Sequence, residues 1–313
     1  MASINRSLAH HSQALGIRKG GPIDVSLLGV GEFNENYLVG VDRKKFVFRV
    51  GLRDTAEEHL KREYDFLREL PPGFGPKALV YDQSGAHFDK PFVVLSYLEG
   101  DHVFSWKKEH LKAHAEKLAA LHSHTSPHWG VAGKPYKVFD LQKQFIRDIK
   151  KITHGKMDDD MQQLYGKVVH YLSEKNHLIT SLGEFSLVHG DCCVSNILFC
   201  KGNVYYIDWE WGTYRDPADD IARFQYEDIS ELPWNIQLSK GEMRYFYDCY
   251  YGVRGDSTLE ERVKLWQVYW KFTDMVYFNE KLKDFTFKKG GLKKEHYEKT
   301  VETLKGSLRK QFL

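Results

Sequence analysis

No stretch of this 313-residue chain is apolar over the length of a membrane span, which excludes a helical membrane protein. The first twenty residues, MASINRSLAHHSQALGIRKG, lack the apolar core of a secretion signal. Charge of one sign is missing too. Lysine and arginine number 45 against 43 acids, a formal net charge of +2, so the basic excess of a nucleic-acid binder is absent. Cysteine is scarce. Cys192, Cys193, Cys200 and Cys249 form no CxxC pair, and two are adjacent, which excludes a disulfide framework and predicts free thiols in a reducing compartment. A cytoplasmic location is expected. Internal repeats and low-complexity tracts are also lacking. What is present is ordinary for a globular protein, 42% hydrophobic and 28% charged, long enough for two lobes. The unusual figure is 14% aromatic, much of it in the last hundred residues.

The first hundred residues read as strands with one helix. Leu38–Val41 and Phe46–Val50 are apolar runs parted by Asp42-Arg43-Lys44-Lys45, a hairpin signal. Thr55-Ala56-Glu57-Glu58 is a capping box. Its helix runs to about Leu70 and stops at Pro71-Pro72-Gly73. Strands are predicted near 77–82 and 92–98. After Gly100 the period becomes helical, over 108–123, 139–152 and 158–173. A strand-like stretch, 186–208, interrupts it before long helices near 240–250, 259–282 and 293–310. The expected organisation is a β-rich lobe over 1–97 and a larger helical lobe over 98–313.

The most informative segment is Leu187-Val188-His189-Gly190-Asp191-Cys192-Cys193-Val194-Ser195-Asn196-Ile197-Leu198-Phe199, followed by Tyr205-Tyr206-Ile207-Asp208-Trp209-Glu210. Lys201-Gly202-Asn203 suits a tight turn between two short strands, which would bring Asn196 and Asp208 to one end, with Asp191 on the entering loop. Phosphoryl transfer needs such a set. Magnesium takes hard oxygen ligands and keeps several waters, so one amide and one carboxylate are enough. A second carboxylate orients the attacking hydroxyl and accepts its proton. Asp191 is the candidate base, and Asn196 and Asp208 are the candidate metal ligands. Taken alone, Asp191 and Asn196 read as turn residues. The His-Gly before them and the Ile-Asp after them favour chemistry.

HGDxxxxN, then IDWE, then Asp216-Pro217-Ala218-Asp219-Asp220-Ile221-Ala222 resembles the aminoglycoside phosphotransferase and choline kinase family. The resemblance covers roughly residues 25 to 225. It implies an α+β, bilobal, protein-kinase-like fold, with a small antiparallel sheet lobe and a larger, mainly helical lobe. It assigns the base to Asp191 and the metal to Asn196 and Asp208. Asp220 would open the next helix, capping it and holding the catalytic-loop backbone. His189 would pack and hydrogen-bond rather than act as a second base.

A kinase must also hold a triphosphate. No Walker A motif is present. Gly29 and Gly31 allow close backbone approach to phosphate, though a GxG alone says little. Gly31, Asn34 and Tyr37 match the family's G-x-x-N-x-x-Y. Arg49 is a cation inside an apolar strand and needs a partner if buried. On the following helix Leu60, Glu63, Tyr64 and Leu67 share a face, so Glu63 is a carboxylate on an apolar stripe. Pairing the two would leave the guanidinium to reach phosphates; an exposed surface pair is the alternative. Ser96, Tyr97 and Leu98 resemble the family's hinge, whose backbone binds the nucleobase. ATP and GTP both remain open.

Trp209-Glu210 after Asp208 replaces the Phe-Gly of protein kinases, and no A-P-E motif follows, which favours a small acceptor over a protein. Trp209, Glu210, Trp211 and Tyr214 follow the metal ligand and are the acceptor candidates. Asp216, Glu227, Asp228 and the later aromatics Trp234, Tyr245, Tyr247, Tyr250, Tyr251, Trp266, Tyr269, Trp270, Phe272 and Tyr277 suit a cationic ligand through charge and cation–π attraction. Aromatics at helical spacing are usually core residues, and that is the stronger reading for most of these. The expected function is transfer of the γ-phosphoryl of ATP or GTP, through Mg2+, to a hydroxyl of a cationic or polyhydroxylated small molecule, such as a choline- or ethanolamine-like amino alcohol or an aminoglycoside. No membrane or nucleic-acid partner is expected. A nucleotide-binding pseudokinase is the alternative. Oligomeric state and the role of Cys192 and Cys193 stay open.

Overall fold

Phe46-Val47-Phe48-Arg49-Val50 alternates two kinds of face along one strand, and the first part of the chain is built on that difference. The computed structural model describes residues 2–31, 34–52, 56–130, 138–226, 229, 234–283, 285 and 293–313. It divides into two compact units. One holds Met1–Gly100 and Tyr205–Trp211; the other holds Asp101–Val204 and most of the chain from Gly212 to the C-terminus.

In the first unit, α1 (Ala2–His10) and α2 (Ser12–Leu15) precede β1 (Ile23–Val30), β2 (Asn34–Val41) and β3 (Lys44–Gly51). Then follow α3 (Ala56–Glu69), β4 (Ala78–Asp82) and β5 (Phe92–Ser96). The sheet order is β1-β2-β3-β5-β4, antiparallel throughout. The strands around the first predicted turn are longer than expected. Lys44 pairs with Val41, leaving a two-residue turn in which Asp42 and Arg43 take φ of 49° and 63°. Positive φ at both positions matches the twist a short hairpin requires.

Phe46, Phe48 and Val50 face one way, packing with Val39, Phe92 and Val94 against Ile4, Leu8 and Leu15 of α1 and α2. Those two helices are not apparent in the sequence, because only Ile4 and Leu8, one turn apart, mark an apolar stripe. Arg49 faces the other way, toward α3, where Leu60, Glu63 and Leu67 are buried as the stripe predicts. Thr55, the expected cap residue, lies outside the described residues.

The second unit contains α4 (Lys108–His122), β6 (Thr125–Ser126), α5 (Leu141–Thr153), α6 (Asp159–Lys175), α7 (His177–Thr180) and β7 (Phe185–Val188). β8 (Ile197–Cys200) and β9 (Asn203–Tyr206) form a hairpin, with the division between units falling inside β9. Lys201 and Gly202 turn it at φ 49° and 81°. Then come β10 (Thr213–Arg215), α8 (Ala218–Phe224), α9 (Lys240–Tyr251), α10 (Leu259–Lys283) and α11 (Lys294–Phe312). β10, β7 and β6 make a small antiparallel sheet. The predicted long helices are found within two residues at each end. Helix α10 packs on α5, α6, α8 and α11, so Trp266, Phe272, Met275 and Val276 are fully buried, as expected for a helix surrounded by others. Among the described residues no helix is long and apolar enough to cross a membrane.

Candidate active site

Arg49 stands opposite Asn36 in the β2–β3 register, and its Nε donates to Asn36 Oδ1 at 2.8 Å. Its Nη1 reaches both oxygens of Glu63, at 2.8 and 2.7 Å, and Asp208 Oδ1 at 2.9 Å. The Arg49 and Glu63 side chains are 6% and 1% exposed, so this is an interior pair and not a surface one. Burial opposes the charge on Arg49, but Glu63, Asp208 and Glu210 outweigh it and raise its pKa. Burial also lifts the Glu63 carboxyl above its usual range, with Arg49 opposing. The candidate phosphate contact and a candidate metal ligand thus share one hydrogen-bonded cluster.

Gly31 N–H donates to Asn34 O at 2.8 Å, closing the β1–β2 hairpin. A Cβ at Gly29 would meet nothing within 4 Å, so the protein's own packing does not demand glycine there. Asn34 is 7% exposed, and its Oδ1 finds no hydrogen-bond partner among the described residues. Amide oxygen and nitrogen are nearly the same shape, so a half-turn would present a donor instead. At the expected nucleobase segment, Ser96 N–H donates to Lys77 O and Tyr97 N–H to Lys45 O, while Ser96 Oγ accepts from Lys77 N–H. These donors serve the sheet. Of Ser96, Tyr97 and Leu98, only Leu98 has an N–H without a backbone acceptor among the described residues.

Trp209 is corrected as an acceptor candidate. Its ring is fully buried, stacks on Phe66 at 5.6 Å and donates to Tyr206 O at 2.9 Å. A Cβ on Gly75 would lie 2.4 Å from Trp209 Nε1, so that glycine exists to admit the indole. Asp208 takes φ 68°, and the chain then turns Trp209 N–H toward Glu63 Oε1 at 3.3 Å. Glu210 is 6% exposed, 3.8 Å from His59 Nδ1, and belongs with the acids around Arg49 rather than on an open surface. Trp211 is exposed, edge-on to His59. Tyr214, half-buried, belongs to the second unit, paired with Leu187.

In the second unit the loop from His189 to Asn196 is held at every turn. Asp220, fully buried, accepts from His189 N–H and Gly190 N–H, both at 2.8 Å, with Oδ2 and Oδ1 respectively. Its Oδ2 also meets His122 Nε2 at 3.1 Å, and His122 Nδ1 meets Tyr250 OH at 2.8 Å. Burial works against its charge, but His122 and the loop donors hold Asp220 below its ordinary pKa. The expected capping of α8 falls instead to Asp216, whose Oδ1 accepts from Ala218 N–H. Asp216 is also bound by Arg262 and Trp266 and is fully buried. It is therefore unavailable to a ligand. His189 is buried, and its Nδ1 accepts from Asp191 N–H.

Asp191 and Asn196 are brought together. Asn196 Nδ2 donates to Asp191 O at 2.9 Å and to Asp191 Oδ2 at 3.1 Å. With its nitrogen turned inward, Asn196 has its carbonyl oxygen left for a cation. Asp208 likewise gives one oxygen to Arg49 and is about a third exposed. Among the described residues no group of three or more His, Cys, Asp or Glu could hold a metal. Magnesium at a phosphate needs fewer protein ligands than that, and each unit carries one oxygen of the kind it takes, the Asn196 amide in one and the Asp208 carboxylate in the other.

One partner of Asp191, Arg223, and the carboxylate that supports it in turn are absent from the sequence reading. Arg223 Nη2 lies 2.9 Å from Asp191 Oδ1, and its Nη1 lies 2.7 Å from Asp274 Oδ2. The guanidinium sits 4.2 Å from the Trp270 ring centre. Burial opposes its charge, but Asp274 and Asp191 raise it. Asp274 was detectable by the logic that found Glu63, as a carboxylate among buried residues of a helix. Cys192 and Cys193 are both buried, and burial pushes the Cys192 thiol up, away from reactivity. Of the aromatics, Tyr250, Trp266 and Phe272 are fully buried and Tyr247 and Tyr269 nearly so; these are core. Glu227 and Asp228 lie outside the described residues.

An antiparallel sheet lobe with a buried Arg–Glu pair and a helical lobe with this loop together define a phosphotransferase-type, kinase-like fold. The chain belongs to the phosphotransferase enzyme family, APH, whose family model matches residues 24–255, further than the sequence motifs reach. Among solved structures it is similar to the streptomycin–ATP ternary complex of APH(2'')-IIa, with 18% identity, TM-score 0.63, and 97% and 96% of the two chains covered. It is similar to aminoglycoside 2'-phosphotransferase-IIIa in its GDP complex, with 15% identity, TM-score 0.66 and full coverage of both. A protein of Haemophilus somnus 129PT assigned as a fructosamine-3-kinase matches at 16% identity, TM-score 0.63, over 97% and 96%. At such identities these likenesses are of fold. Among curated proteins none matches the chain in sequence.

Proposed function

We propose that this protein is a small-molecule kinase that transfers the γ-phosphoryl of ATP or GTP to a hydroxyl of a small acceptor. The observation that carries the reading is the Asp191–Asn196 pair, a carboxylate and an amide locked together on a loop that Asp220 fixes by its backbone. Asp191 is the base that takes the acceptor's proton. Asn196 and Asp208 are the magnesium ligands, and Arg49, held by Glu63, is the phosphate contact. Gly29, Gly31 and Asn34 cover the phosphates, and Leu98 N–H is the hinge donor for the nucleobase. Magnesium, when bound, neutralises charge on the transferring phosphates.

A polyhydroxylated acceptor, charged or not, is favoured over a small quaternary cation held by an aromatic face. The Trp270 ring, against the residue that holds the base, is already covered by the chain's own Arg223, and Asp274 shares that same guanidinium with Asp191. Relatives of this fold named for aminoglycosides and for a fructosamine are compatible with a sugar-like acceptor. The test is magnesium-dependent ADP or GDP release over a panel of choline, ethanolamine, homoserine, thiamine, simple sugars, a fructosamine and aminoglycosides, with Asp191→Asn as control. Stimulation by one class, absent in the control, is expected. Nucleotide binding with no stimulated turnover would favour a pseudokinase.

A further inference from the structure

Resting on the phosphotransferase reading, we propose that Arg223 is a positioning residue that fixes the Asp191 carboxylate for proton transfer, with Asp274 and Trp270 as its supports. The two oxygens of Asp191 are held by different residues. Oδ1 takes Arg223 Nη2 at 2.9 Å, and Oδ2 takes Asn196 Nδ2 at 3.1 Å. A carboxylate pinned at both oxygens cannot rotate about its terminal bond. A base held in one orientation avoids searching for the hydroxyl, which is where much of the advantage of an ordered site lies.

The support is local and rigid. Arg223 stands three residues after Asp220 on α8, so both side chains lie on neighbouring positions of one helix face. Asp220 holds the loop's backbone at His189 and Gly190, and Arg223 holds the base's side chain. One short helix therefore sets both the path of the loop and the aim of its carboxylate. Trp270 and Asp274 are one turn apart on α10. The first lies against the guanidinium at 4.2 Å, and the second takes its other nitrogen at 2.7 Å.

Asp274 does more than anchor. One guanidinium shared between two carboxylates leaves a single net negative charge, so Asp191 is oriented without being fully neutralised. A buried ion pair is weak evidence for a stability role, since apolar groups of like shape often serve as well. A planar fork spanning two carboxylates is suited to orientation.

The test uses the full chain with magnesium and ATP, measuring slow hydrolysis with water as acceptor and turnover with the best compound of the panel. Arg223→Ala should lower kcat about 100-fold, with both KM values within about threefold. Added guanidinium chloride should restore part of that loss, and Arg223→Lys should retain more activity than the alanine variant. In an Asp191→Asn background, Arg223→Ala should cause no further fall. If wild type depends on Asp191 and Arg223→Ala keeps kcat within about twofold, the positioning role is overturned while the kinase reading stands. Equal losses with and without Asp191, or a loss that guanidinium does not relieve, overturn it in the same way. If wild type shows neither hydrolysis nor transfer, the phosphotransferase reading fails and the proposal falls with it.

Discussion

At the scale of single residues, the proposed base, Asp191, and the proposed phosphate contact, Arg49, make different demands on a variant. Asp191→Asn keeps the shape and removes the charge that, on this proposal, accepts a proton. It should lower kcat by about 10²- to 10⁴-fold with nucleotide affinity little changed, because Asp191 is not among the groups around Arg49. Steady-state kinetics beside a nucleotide titration would separate the two, and near-normal turnover would remove Asp191 as base. Arg49→Ala is less clean. It leaves Glu63 at 1% exposure without its cation, which costs about 3–5 kcal/mol for a broken buried pair. Arg49→Lys keeps the charge but loses the fork that spans Asn36, Glu63 and Asp208. The lysine variant should stay folded and show about a tenfold higher nucleotide KM. An unchanged KM in folded Arg49→Lys would sink the phosphate role.

At the scale of elements, α4 and α8 carry a pH dependence. His114, on α4, is fully buried among Trp106, Phe224 and Phe246, and burial pushes its pKa down to about 3. Burial also lowers His122, with Asp220 opposing. An unfolded histidine takes its proton near pH 6.5. Below that value the unfolded chain gains protons that the fold refuses, so stability is full above pH 6.5 and falls as pH drops toward 3. For His114 the full effect is on the order of 5 kcal/mol. His114→Phe keeps an aromatic ring in an aromatic setting. Its urea midpoint should drop by less between pH 8 and pH 5 than that of wild type; identical drops would show that His114 is not the group responsible.

Much of the element pattern was legible, and the misses have physical causes. Helices with apolar stripes stood out, and so did Glu63, because a carboxylate interrupting such a stripe needs a partner. The loop from His189 to Asn196 was readable because its chemistry is contiguous. Arg223 was not, because it stands 32 residues from Asp191; Asp274 interrupts a buried helix face as Glu63 does, but its partner Arg223 lies 51 residues away, so its link to the base was not legible. Trp209 was misread for the opposite reason. It adjoins Asp208 in sequence, but the left-handed backbone of Asp208 precedes a side chain packed in the interior.

At the scale of the whole molecule, ligand binding becomes a stability. A ligand that binds only the folded chain adds about 2.7 kcal/mol at a hundred times its dissociation constant. If Asp208 ligates the metal, nucleotide and magnesium together should raise the thermal midpoint more than nucleotide alone, and chelation should remove only the difference. Asp208→Asn should abolish that magnesium increment. The nucleotide-only shift should persist or grow, because Arg49 would then lose one of its acidic neighbours and meet phosphate with more unspent charge. The measurement is four melting curves for each chain, with and without nucleotide and with and without magnesium. An equal magnesium increment in wild type and Asp208→Asn would remove Asp208 from the metal site and leave Asn196 without its carboxylate companion.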